Sequence, residues 1–319
     1  MTPNYIHWLR SHIGPRKTIL AYATALIRDA AGRLLFQRRT DFEWWGLPGG
    51  ALELGETFAE CAVREAAEET GWQVQPLRLV GLYAAPEWDV YYPNGDAVHQ
   101  FTVAIECHLV GGCSQPDGQE TTASQFFAVN DLPDPCPPWY AAMACDLWEN
   151  RAAHFDPPVS CPAAESYLWP LRRAVGSSRL IMMGAAAVIQ DACGQVLLGL
   201  RSDSQDWGLP AGHMELGETP AGTVVREVCE ELRLHIRPTQ LVGVFTGPTF
   251  FHMYPDGNQV QIASALFRAE IEGGTLTPDG EEILAAQWFD PADLPPMPAR
   301  HRWLQPRRSF SGGAHGGDA

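Results

Sequence analysis

The feature that most restricts the fold of this chain is an internal repeat. Residues that lie 162 positions apart match along most of the sequence, and residues 1–133 align with residues 163–295 without an insertion or a deletion. The matching pairs include Trp45 and Trp207, Gly50 and Gly212, Tyr92 and Tyr254, and Leu132 and Leu294. Self-similarity at one fixed spacing indicates a duplicated structural unit. We therefore predict two copies of one domain.

Length and local composition predict the domain boundaries. A chain of 319 residues is long enough for two domains. We predict a first domain at residues 1–150 and a second domain at residues 166–304. Residues 151–165 contain Asp-Pro-Pro and Cys-Pro and are predicted to be the linker. The Gly-, Ser- and Arg-rich end, residues 305–319, is predicted to be disordered.

Composition and charge restrict the possible partners. The sequence is 45% hydrophobic and 19% charged, which is typical of a globular protein with packed cores. Its net charge of -16 would repel nucleic-acid backbones and anionic membranes, so we expect neither as a partner. This charge is compatible with a small anionic substrate that is held through a divalent cation.

The sequence predicts a cytoplasmic location. Its eight cysteines include no C-x-x-C pair, which fits a reducing compartment. The segment from Met1 to Gly14 lacks the apolar core of a signal peptide. The longest apolar run, Ile181 to Ile189, is too short to span a bilayer.

Each copy is predicted to contain strands around one helix that follows a Gly- and Pro-rich loop. In the first copy we predict a strand at Thr18–Arg28, a hairpin partner at 33–38, a loop at 39–56, a helix at Thr57–Thr70, strands near 73–83, 87–92, 97–110 and 124–129, and a helix near 139–150. Thr57 and Glu60 form a predicted capping box, and Gly71 suits the left-handed position that ends a helix. In the second copy Thr219 and Pro220 occupy the cap and the first helical position.

Three carboxylates share one face of this helix. At about 100° per residue, with Glu65 at zero, Glu69 lies at about 40° and Glu68 at about -60°. The second copy repeats the trio at Glu227, Glu230 and Glu231. Like charges at this spacing destabilise a helix by roughly 0.2–0.5 kcal/mol per pair. A solvated acidic surface is one explanation, but the recurrence favours a site for a hard cation, Mg²⁺ or Mn²⁺.

The residues around this helix resemble the signature of the Nudix hydrolase family. In the first copy, residues 50–72, the fixed positions are Gly50, Glu56, Arg64, Glu65, Glu68, Glu69 and Gly71. In the second copy, residues 212–234, they are Gly212, Glu218, Arg226, Glu227, Glu230 and Glu231, but Arg233 stands where the family has Gly. The resemblance extends over nearly all of both copies.

The resemblance implies an α/β (α+β) fold class, with two Nudix-like α/β/α sandwiches in tandem, each with a mixed β-sheet and a catalytic loop and helix. It implies Mg²⁺-dependent hydrolysis of the pyrophosphate linkage of nucleoside diphosphate derivatives or (deoxy)nucleoside triphosphates. The signature does not separate ADP-ribose-like compounds, sugar nucleotides and triphosphates. Single-domain relatives often dimerise, so the two domains are expected to pack as an intramolecular pseudo-dimer.

The resemblance also implies roles for the matching residues. Glu65, Glu69 and the Gly50 carbonyl would bind the metal, with Glu68 as a further ligand or the general base. Arg64 and Glu56 would form a bracing pair that orients the glutamates. The corresponding residues of the second copy are Gly212, Glu218, Arg226, Glu227, Glu230 and Glu231.

Further candidates lie outside the signature. Glu120 and Glu282 precede a predicted strand, where the family often has an extra ligand or a general base. Each could equally be a solvated loop acid, and Glu281 competes with Glu282 for the role. Arg39 and Arg201 end a strand and would either reach a phosphate or lie on the surface.

The loops expected to contact the substrate differ between the copies. Trp44 and Trp88 of the first copy correspond to Asp206 and Phe250 of the second. Aromatic side chains in these loops, including Trp88 and Phe250, could stack on a nucleobase or pack in a core. We therefore expect the two sites to differ in substrate preference.

Two departures distinguish the second signature. His213 replaces Ala51 and could titrate near the phosphates, although a lone histidine in a loop usually has no functional role. Arg233 replaces Gly at the helix end, within reach of Glu230, and could pair with that carboxylate in competition with the cation. We therefore expect weaker metal binding at the second site. The alternative is one catalytic domain, with the second domain serving as a packing or ligand-sensing module.

Overall fold

The chain forms two similar domains, and a computed structural model describes residues 4–160 and 166–298. The elements of the first domain are α1 (Tyr5–Ile13), β1 (Thr18–Arg28), β2 (Leu34–Arg39), β3 (Trp45–Gly46), β4 (Gly49–Ala51), α2 (Phe58–Thr70), β5 (Trp72–Tyr83), β6 (Val90–Tyr91), β7 (Ala97–Gly112), β8 (Thr121–Phe127) and α3 (Pro138–Glu149). A short strand, β9 (His154–Phe155), follows in the connection to the second domain. The tail predicted at residues 305–319 lies outside the described residues.

The second domain repeats this order of elements. They are α4 (Leu168–Val175), β10 (Leu180–Ile189), β11 (Val196–Arg201), β12 (Trp207–Gly208), β13 (Ala211–His213), α5 (Pro220–Leu232), β14 (Leu234–Phe245), β15 (Phe251–Met253), β16 (Gln259–Gly274) and β17 (Ile283–Phe289). Across residues 4–160 and 166–298, no helix combines the length and the apolar character needed to cross a membrane.

The strands of the first domain form one nine-stranded sheet in the order β3-β2-β1-β7-β5-β9, with β4 paired to β1, β6 to β7 and β8 to β2. In this mixed sheet β1 pairs with β7 in parallel and with β2 at Arg28 and Leu34. In the second domain the corresponding strands form a five-stranded sheet, β13-β10-β16-β14 with β15 on β16, and a separate three-stranded sheet, β12-β11-β17. Strand β1 is apolar and buried along nearly its whole length, as a central parallel strand requires.

Helices cover both faces of the first domain's mixed sheet. Ala25 and Ile27 of β1 pack in the same core cluster as residues of α2, whereas Leu26 between them packs in the cluster that contains residues of α3. Because successive side chains of a strand point to opposite faces, α2 and α3 lie on opposite sides of the sheet. This confirms the predicted fold class.

The acidic helix α2 begins and ends as predicted. Thr57 and Glu60 form the capping box, and Gly71 ends the helix with a left-handed φ of 77°. The predicted strand at 87–92 is wrong in its first half. Residues Pro86–Trp88 form a 3₁₀ turn instead, with the proline at a helical first position that its fixed φ favours.

Arg233 ends α5 in the left-handed conformation that glycine would adopt more easily, with φ 58°. The predicted pairing of Arg233 with Glu230 is wrong. Glu230 accepts from Arg226 at 3.2 Å, and no carboxylate in the described residues lies within ion-pair distance of Arg233. The left-handed residue breaks the helical periodicity that would have brought its side chain onto the acidic face.

The two domains hold each other's loops through equivalent residues. His99 Nε2 donates to the backbone carbonyl of Glu218 at 2.9 Å. Gln261 occupies the matching position of the second domain, donates to the backbone carbonyl of Glu56 at 3.2 Å and accepts from the Gly55 N–H at 2.6 Å. Strand β1 also contacts β10, and α1 contacts α4. The loop before each acidic helix is therefore braced by the opposite domain.

The predicted linker is packed where the structure describes it. Strand β9 pairs in parallel with β5, and the Phe155 ring lies 5.2 Å from that of Phe267 in the second domain. The buried Asp156 carboxylate accepts from the backbone N–H groups of Ala84 and Ala85. The connection therefore packs against both domains.

Candidate active site

Arg64 of α2 is the centre of a charge network. Its Nε and Nη2 atoms donate to the two carboxylate oxygens of Glu56 at 2.6 and 2.9 Å. Its Nη1 atom donates to Glu65 at 2.6 Å and to Glu68 at 3.2 Å. A two-point contact fixes the plane of a guanidinium group. Glu56 therefore orients Arg64, which in turn holds the carboxylates of the helix.

Gly50 brings the loop backbone against Glu65. A Cβ atom at Gly50 would lie 2.4 Å from the Glu65 Cδ atom, so no other residue fits without movement. Burial raises the pKa of Glu65 to about 7, although the Arg64 guanidinium acts in the opposite direction. The Arg64 charge therefore does not fully compensate the cost of burying the ionised Glu65 carboxylate at neutral pH.

Glu69 lies deeper, with only 3% of its surface exposed. One of its oxygens accepts from the Gly49 N–H at 2.8 Å. Burial and the nearby Glu65 charge raise the pKa of Glu69 to about 8. Arg39 Nη1 is 4.0 Å from Glu69, but the Arg39 guanidinium makes a two-point contact with Asp41 at 2.9 and 2.7 Å.

Glu68 and Glu120 are the accessible acids of this site. The Glu68 side chain is 62% exposed, and Glu120 is exposed in the loop before β8. Asp117 shapes that loop by accepting from the backbone N–H groups of Glu120 and Thr121 at 3.1 and 2.8 Å. Glu68 and Glu120 line the same cavity as Glu65. Both positions are open to a water molecule beside a substrate.

The second domain repeats the network almost atom for atom. Arg226 Nε and Nη2 donate to Glu218 at 2.6 and 2.9 Å. Arg226 Nη1 donates to Glu227 at 2.9 Å and to Glu230 at 3.2 Å. A Cβ atom at Gly212 would lie 1.9 Å from Glu227 Cδ. The remaining predicted residues of this domain are placed as in the first: Arg201 pairs with Asp203 at 3.0 Å, and Glu282 lies before β17.

The deepest carboxylate marks a difference between the domains. Glu231 is 3% exposed, and its Oε2 atom is buried without a hydrogen-bond partner among the described residues. Burial, together with Glu227, raises its pKa to about 8. In the first domain the equivalent oxygen accepts from the Gly49 N–H at 2.8 Å, whereas the N–H of the corresponding residue, Ala211, makes no bond to Glu231 Oε2.

His213 does not titrate near neutral pH. Burial lowers its pKa to about 4, with the Arg201 charge acting in the same direction. Of the two alternatives for His213, a pKa this low argues against a titrating group near the phosphates. Its backbone carbonyl accepts from Arg226 at 2.8 Å, which makes the residue part of the bracing network.

The donor atoms at these positions suit a divalent cation. Within the described parts of the chain, no three His, Cys, Asp or Glu side chains already converge as a metal site. Glu65, Glu69 and the Gly50 carbonyl nevertheless offer only oxygen atoms, which Mg²⁺ prefers. Buried acids with raised pKa values, and the orphaned oxygen of Glu231, are the groups that a cation would neutralise.

A cavity of about 1070 Å³ adjoins the carboxylates of the first domain. Its aromatic wall includes Phe42 and Trp44, whose rings stack with centroids 4.1 Å apart, and Trp139, which meets Trp44 edge-on at 5.7 Å. Sequence reasoning singled out Trp44 but missed Phe42 and Trp139. No spacing rule links residues 42 and 139, because only the fold brings them together.

Two predicted aromatic contacts lie elsewhere. Trp88 is not part of the cavity lining; its Nε1 atom donates to Asp156 at 3.3 Å, and its ring packs on the core cluster beside α3. Phe250 stacks on Phe245 with centroids 6.3 Å apart in the second domain. The structure therefore gives both rings packing partners within the protein.

The comparison with known families agrees with this geometry. A family model described as the NUDIX domain matches residues 19–147 and 181–309. The chain belongs to the NUDIX family. Its two domains are Nudix domains in tandem, and its enzyme class is that of the Nudix hydrolases, which act on nucleotide derivatives.

Among curated relatives, the chain is 40% identical over 237 residues to an NAD-capped RNA hydrolase of Pseudomonas entomophila, a match that covers 74% of this chain and 67% of that protein. It is 32% identical over 111 residues to a putative 8-oxo-dGTP diphosphatase of Bacillus subtilis, covering 35% of this chain and 68% of that protein. The chain thus spans about two thirds of the length of each. Among solved structures, an ADP-ribose pyrophosphatase of Streptococcus suis is 27% identical, with a TM-score of 0.34, over 44% of this chain and 97% of that one.

Proposed function

We propose that this chain is a Mg²⁺-dependent hydrolase that cleaves the pyrophosphate linkage of a nucleoside diphosphate derivative or a (deoxy)nucleoside triphosphate. The observation that carries the proposal is the buried pair Glu65 and Glu69 beside Gly50, with pKa values of about 7 and about 8. Two neighbouring buried acids need a counter-charge to ionise together. A divalent cation would supply it next to the cavity that would hold the substrate.

The metal-binding groups would be Glu65, Glu69 and the Gly50 carbonyl, and Mn²⁺ could replace Mg²⁺ because it takes the same oxygen ligands. When bound, the cation shields the pyrophosphate charge and lowers the pKa of water. Glu68 would be a further ligand or the base that accepts the proton of the attacking water, and Glu120 is the alternative base. Both acids are exposed to the cavity, which supports either assignment.

Arg64 and Glu56 act as positioning residues in this proposal. The two-point contact with Glu56 fixes the Arg64 guanidinium, and the guanidinium in turn fixes the carboxylates of Glu65 and Glu68. A displacement of about 1 Å in a catalytic group can reduce turnover about 10²-fold. In the second domain the proposed set is Gly212, Glu218, Arg226, Glu227, Glu230, Glu231 and Glu282.

The aromatic wall supports a nucleotide substrate for the first site. Stacked rings such as Phe42 and Trp44 offer a flat apolar surface to a nucleobase. The second domain has Ser204 and Asp206 at these positions, so its site would differ in preference or serve only packing or sensing. The relatives' names include an RNA substrate, but the net charge of -16 favours a small nucleotide.

The test is a hydrolysis panel that contains ADP-ribose, a sugar nucleotide, dGTP, 8-oxo-dGTP and an NAD-capped RNA, each with Mg²⁺ and with a chelator. Glu69→Gln and Glu231→Gln, alone and together, remove one deep carboxylate per domain, and Glu87→Gln is the exposed control. We expect Glu69→Gln to reduce turnover by at least about 10- to 100-fold. Loss of all turnover in this variant alone would leave the second domain a packing or sensing role.

The exposed variant Glu68→Gln keeps the test decisive if the buried variants fold poorly. Its side chain is mostly in solvent, so the fold should not depend on it. Turnover that needs no divalent cation, or no turnover of any compound by the unmodified chain, would contradict the proposal.

A further inference from the structure

We propose that Arg179 of the second domain is a substrate-binding residue of the first domain's site, where its guanidinium binds a phosphate oxygen of the nucleotide. The inference rests on the function proposed above for that site. It implies that the first site is complete only in the two-domain chain.

Contacts across the domain interface place Arg179 beside the first site. Arg179 lines the cavity that also contains Glu65 and Glu68. Two residues later, the Ile181 N–H donates to the Tyr5 hydroxyl at 2.9 Å. The Tyr5 N–H in turn donates to Glu53 at 2.9 Å, in the loop between Gly50 and α2. The start of β10 is therefore held against the loop that precedes the acidic helix.

Among the residues that the structure describes, Arg179 differs from the other cations of the cavity because it has no acidic partner. The others are paired: Arg10 with Asp96 at 3.6 Å, Arg39 with Asp41 at 2.7 Å and Arg64 with Glu56 at 2.6 Å. In residues 4–160 and 166–298, no carboxylate lies within ion-pair distance of Arg179, and its guanidinium carbon is 4.2 Å from the ring centre of Phe251. A guanidinium stacked on a ring keeps its in-plane N–H donors available.

The equivalent residue of the first domain is paired with an acid, so the two domains differ at this position. Lys17 corresponds to Arg179, and it is paired with Asp89, which corresponds to Phe251. The first copy thus neutralises the cation within its own domain, whereas the second copy replaces the acid with a ring. The cation that remains without an acid is the one that lines the first cavity.

The cavity has many acidic side chains, so an anionic substrate needs a cation to bind there. Its lining includes Glu53, Glu65, Glu68, Asp96 and Glu120, which would repel an anionic nucleotide. The divalent cation of the proposed function would offset part of this negative charge. Among the described residues, no carboxylate pairs with the Arg179 guanidinium, so its N–H groups are available to a phosphate. Charge-assisted hydrogen bonds to phosphate are short and directional, so Arg179 would fix the substrate's orientation as well as its affinity.

The binding test uses the full chain and α,β-methylene-ADP, a nucleotide that is not cleaved between its phosphates, in the presence of Mg²⁺. Arg179→Ala should raise its Kd about tenfold, as expected for the loss of one charge-assisted contact. Arg179→Lys should restore part of the affinity. Arg173→Ala removes an equal charge from an exposed position on α4 and should leave Kd unchanged. Adenosine, which has no phosphate, should bind the unmodified chain and Arg179→Ala equally.

Measurements of turnover separate a role in substrate binding from a general structural effect. On any compound that the unmodified chain hydrolyses, Arg179→Ala should raise KM about tenfold and leave kcat within about twofold. An unchanged KM and Kd would overturn the inference, as would equal losses for Arg173→Ala. If the unmodified chain hydrolyses nothing in the panel, the proposed function fails, whereas the binding titration still decides the role of Arg179 because it needs no turnover.

Discussion

At the scale of single residues, burial changes the chemistry of the acids on α2. Glu65 and Glu69 lie against the Gly49–Gly50 backbone, and their pKa values rise to about 7 and about 8. Glu68, one position before Glu69, is mostly in solvent. The acidic face that a helical wheel shows as one surface therefore contains two kinds of carboxylate.

These raised pKa values predict a pH-dependent effect of Mg²⁺ on stability. Because the folded protein holds these protons more tightly than the unfolded chain, the contribution of these acids to stability falls as pH rises from about 4.5 to about 8. In the proposed function Mg²⁺ would bind the ionised carboxylates and remove this penalty. The rise in Tm caused by Mg²⁺ should therefore be larger at about pH 8 than at about pH 5.

Differential scanning calorimetry at the two pH values, with and without Mg²⁺, measures this effect. The control is the chain with both Glu69→Gln and Glu231→Gln, in which most of the Mg²⁺-dependent rise should disappear. An equal rise at both pH values would show that the buried acids do not bind the cation.

At the scale of elements, the two acidic helices begin alike but end differently. Thr57 and Thr219 both cap their helices through the side-chain oxygen. Gly71 ends α2, whereas Arg233 ends α5 in the same left-handed conformation. A residue with a Cβ atom is strained there by roughly 1–2 kcal/mol.

Arg233→Gly should therefore stabilise the second domain by about 1 kcal/mol, since it relieves the left-handed strain. Urea unfolding should show a higher midpoint with an unchanged slope. Gly71→Ala is the matched control in the first domain and should destabilise it, because the new Cβ atom would lie 2.6 Å from the Cys113 carbonyl oxygen. A lower midpoint for Arg233→Gly would mean that the arginine side chain makes a contact that outweighs its strain.

At the scale of the whole molecule, the two domains share one core. A single cluster of buried apolar side chains includes Ile19 and Ala25 of the first domain together with Met183 and Phe267 of the second. The loops that carry Glu56 and Glu218 are held by Gln261 and His99 of the opposite domain. Each site therefore depends on the partner domain for the position of its loop.

Gln261→Ala tests this dependence. Gln261 is 2% exposed, so its removal leaves the Gly55 N–H and the Glu56 carbonyl without their partner at a cost of about 1–3 kcal/mol. We expect a lower urea midpoint and, although the change lies in the second domain, reduced turnover at the first site. Gln125→Ala, at an exposed position of β8, is the control and should change neither. Full turnover in Gln261→Ala would show that the loop keeps its position without this brace.

Much of this architecture follows from local sequence. The duplication, the strand at Thr18–Arg28 and the caps of α2 depend on spacing and on the properties of adjacent residues, and the structure confirms them. The 3₁₀ turn at Pro86–Trp88 does not follow from local sequence, and Asp89 at its end bonds to Lys17 just before β1 and to His99 of β7. Such contacts have no local signal.

The sequence by itself determined that there are two Nudix domains and which carboxylates share a helix face, because an α-helix converts spacing into direction. Only the tertiary structure decided which of them are buried, since burial depends on what packs over the helix. It also decided that Phe42, Trp44 and Trp139 form one wall and that Arg179 enters the other domain's cavity. The fold of the first domain brings Trp139 of α3 to Phe42 and Trp44, and the docking of the second domain adds Arg179.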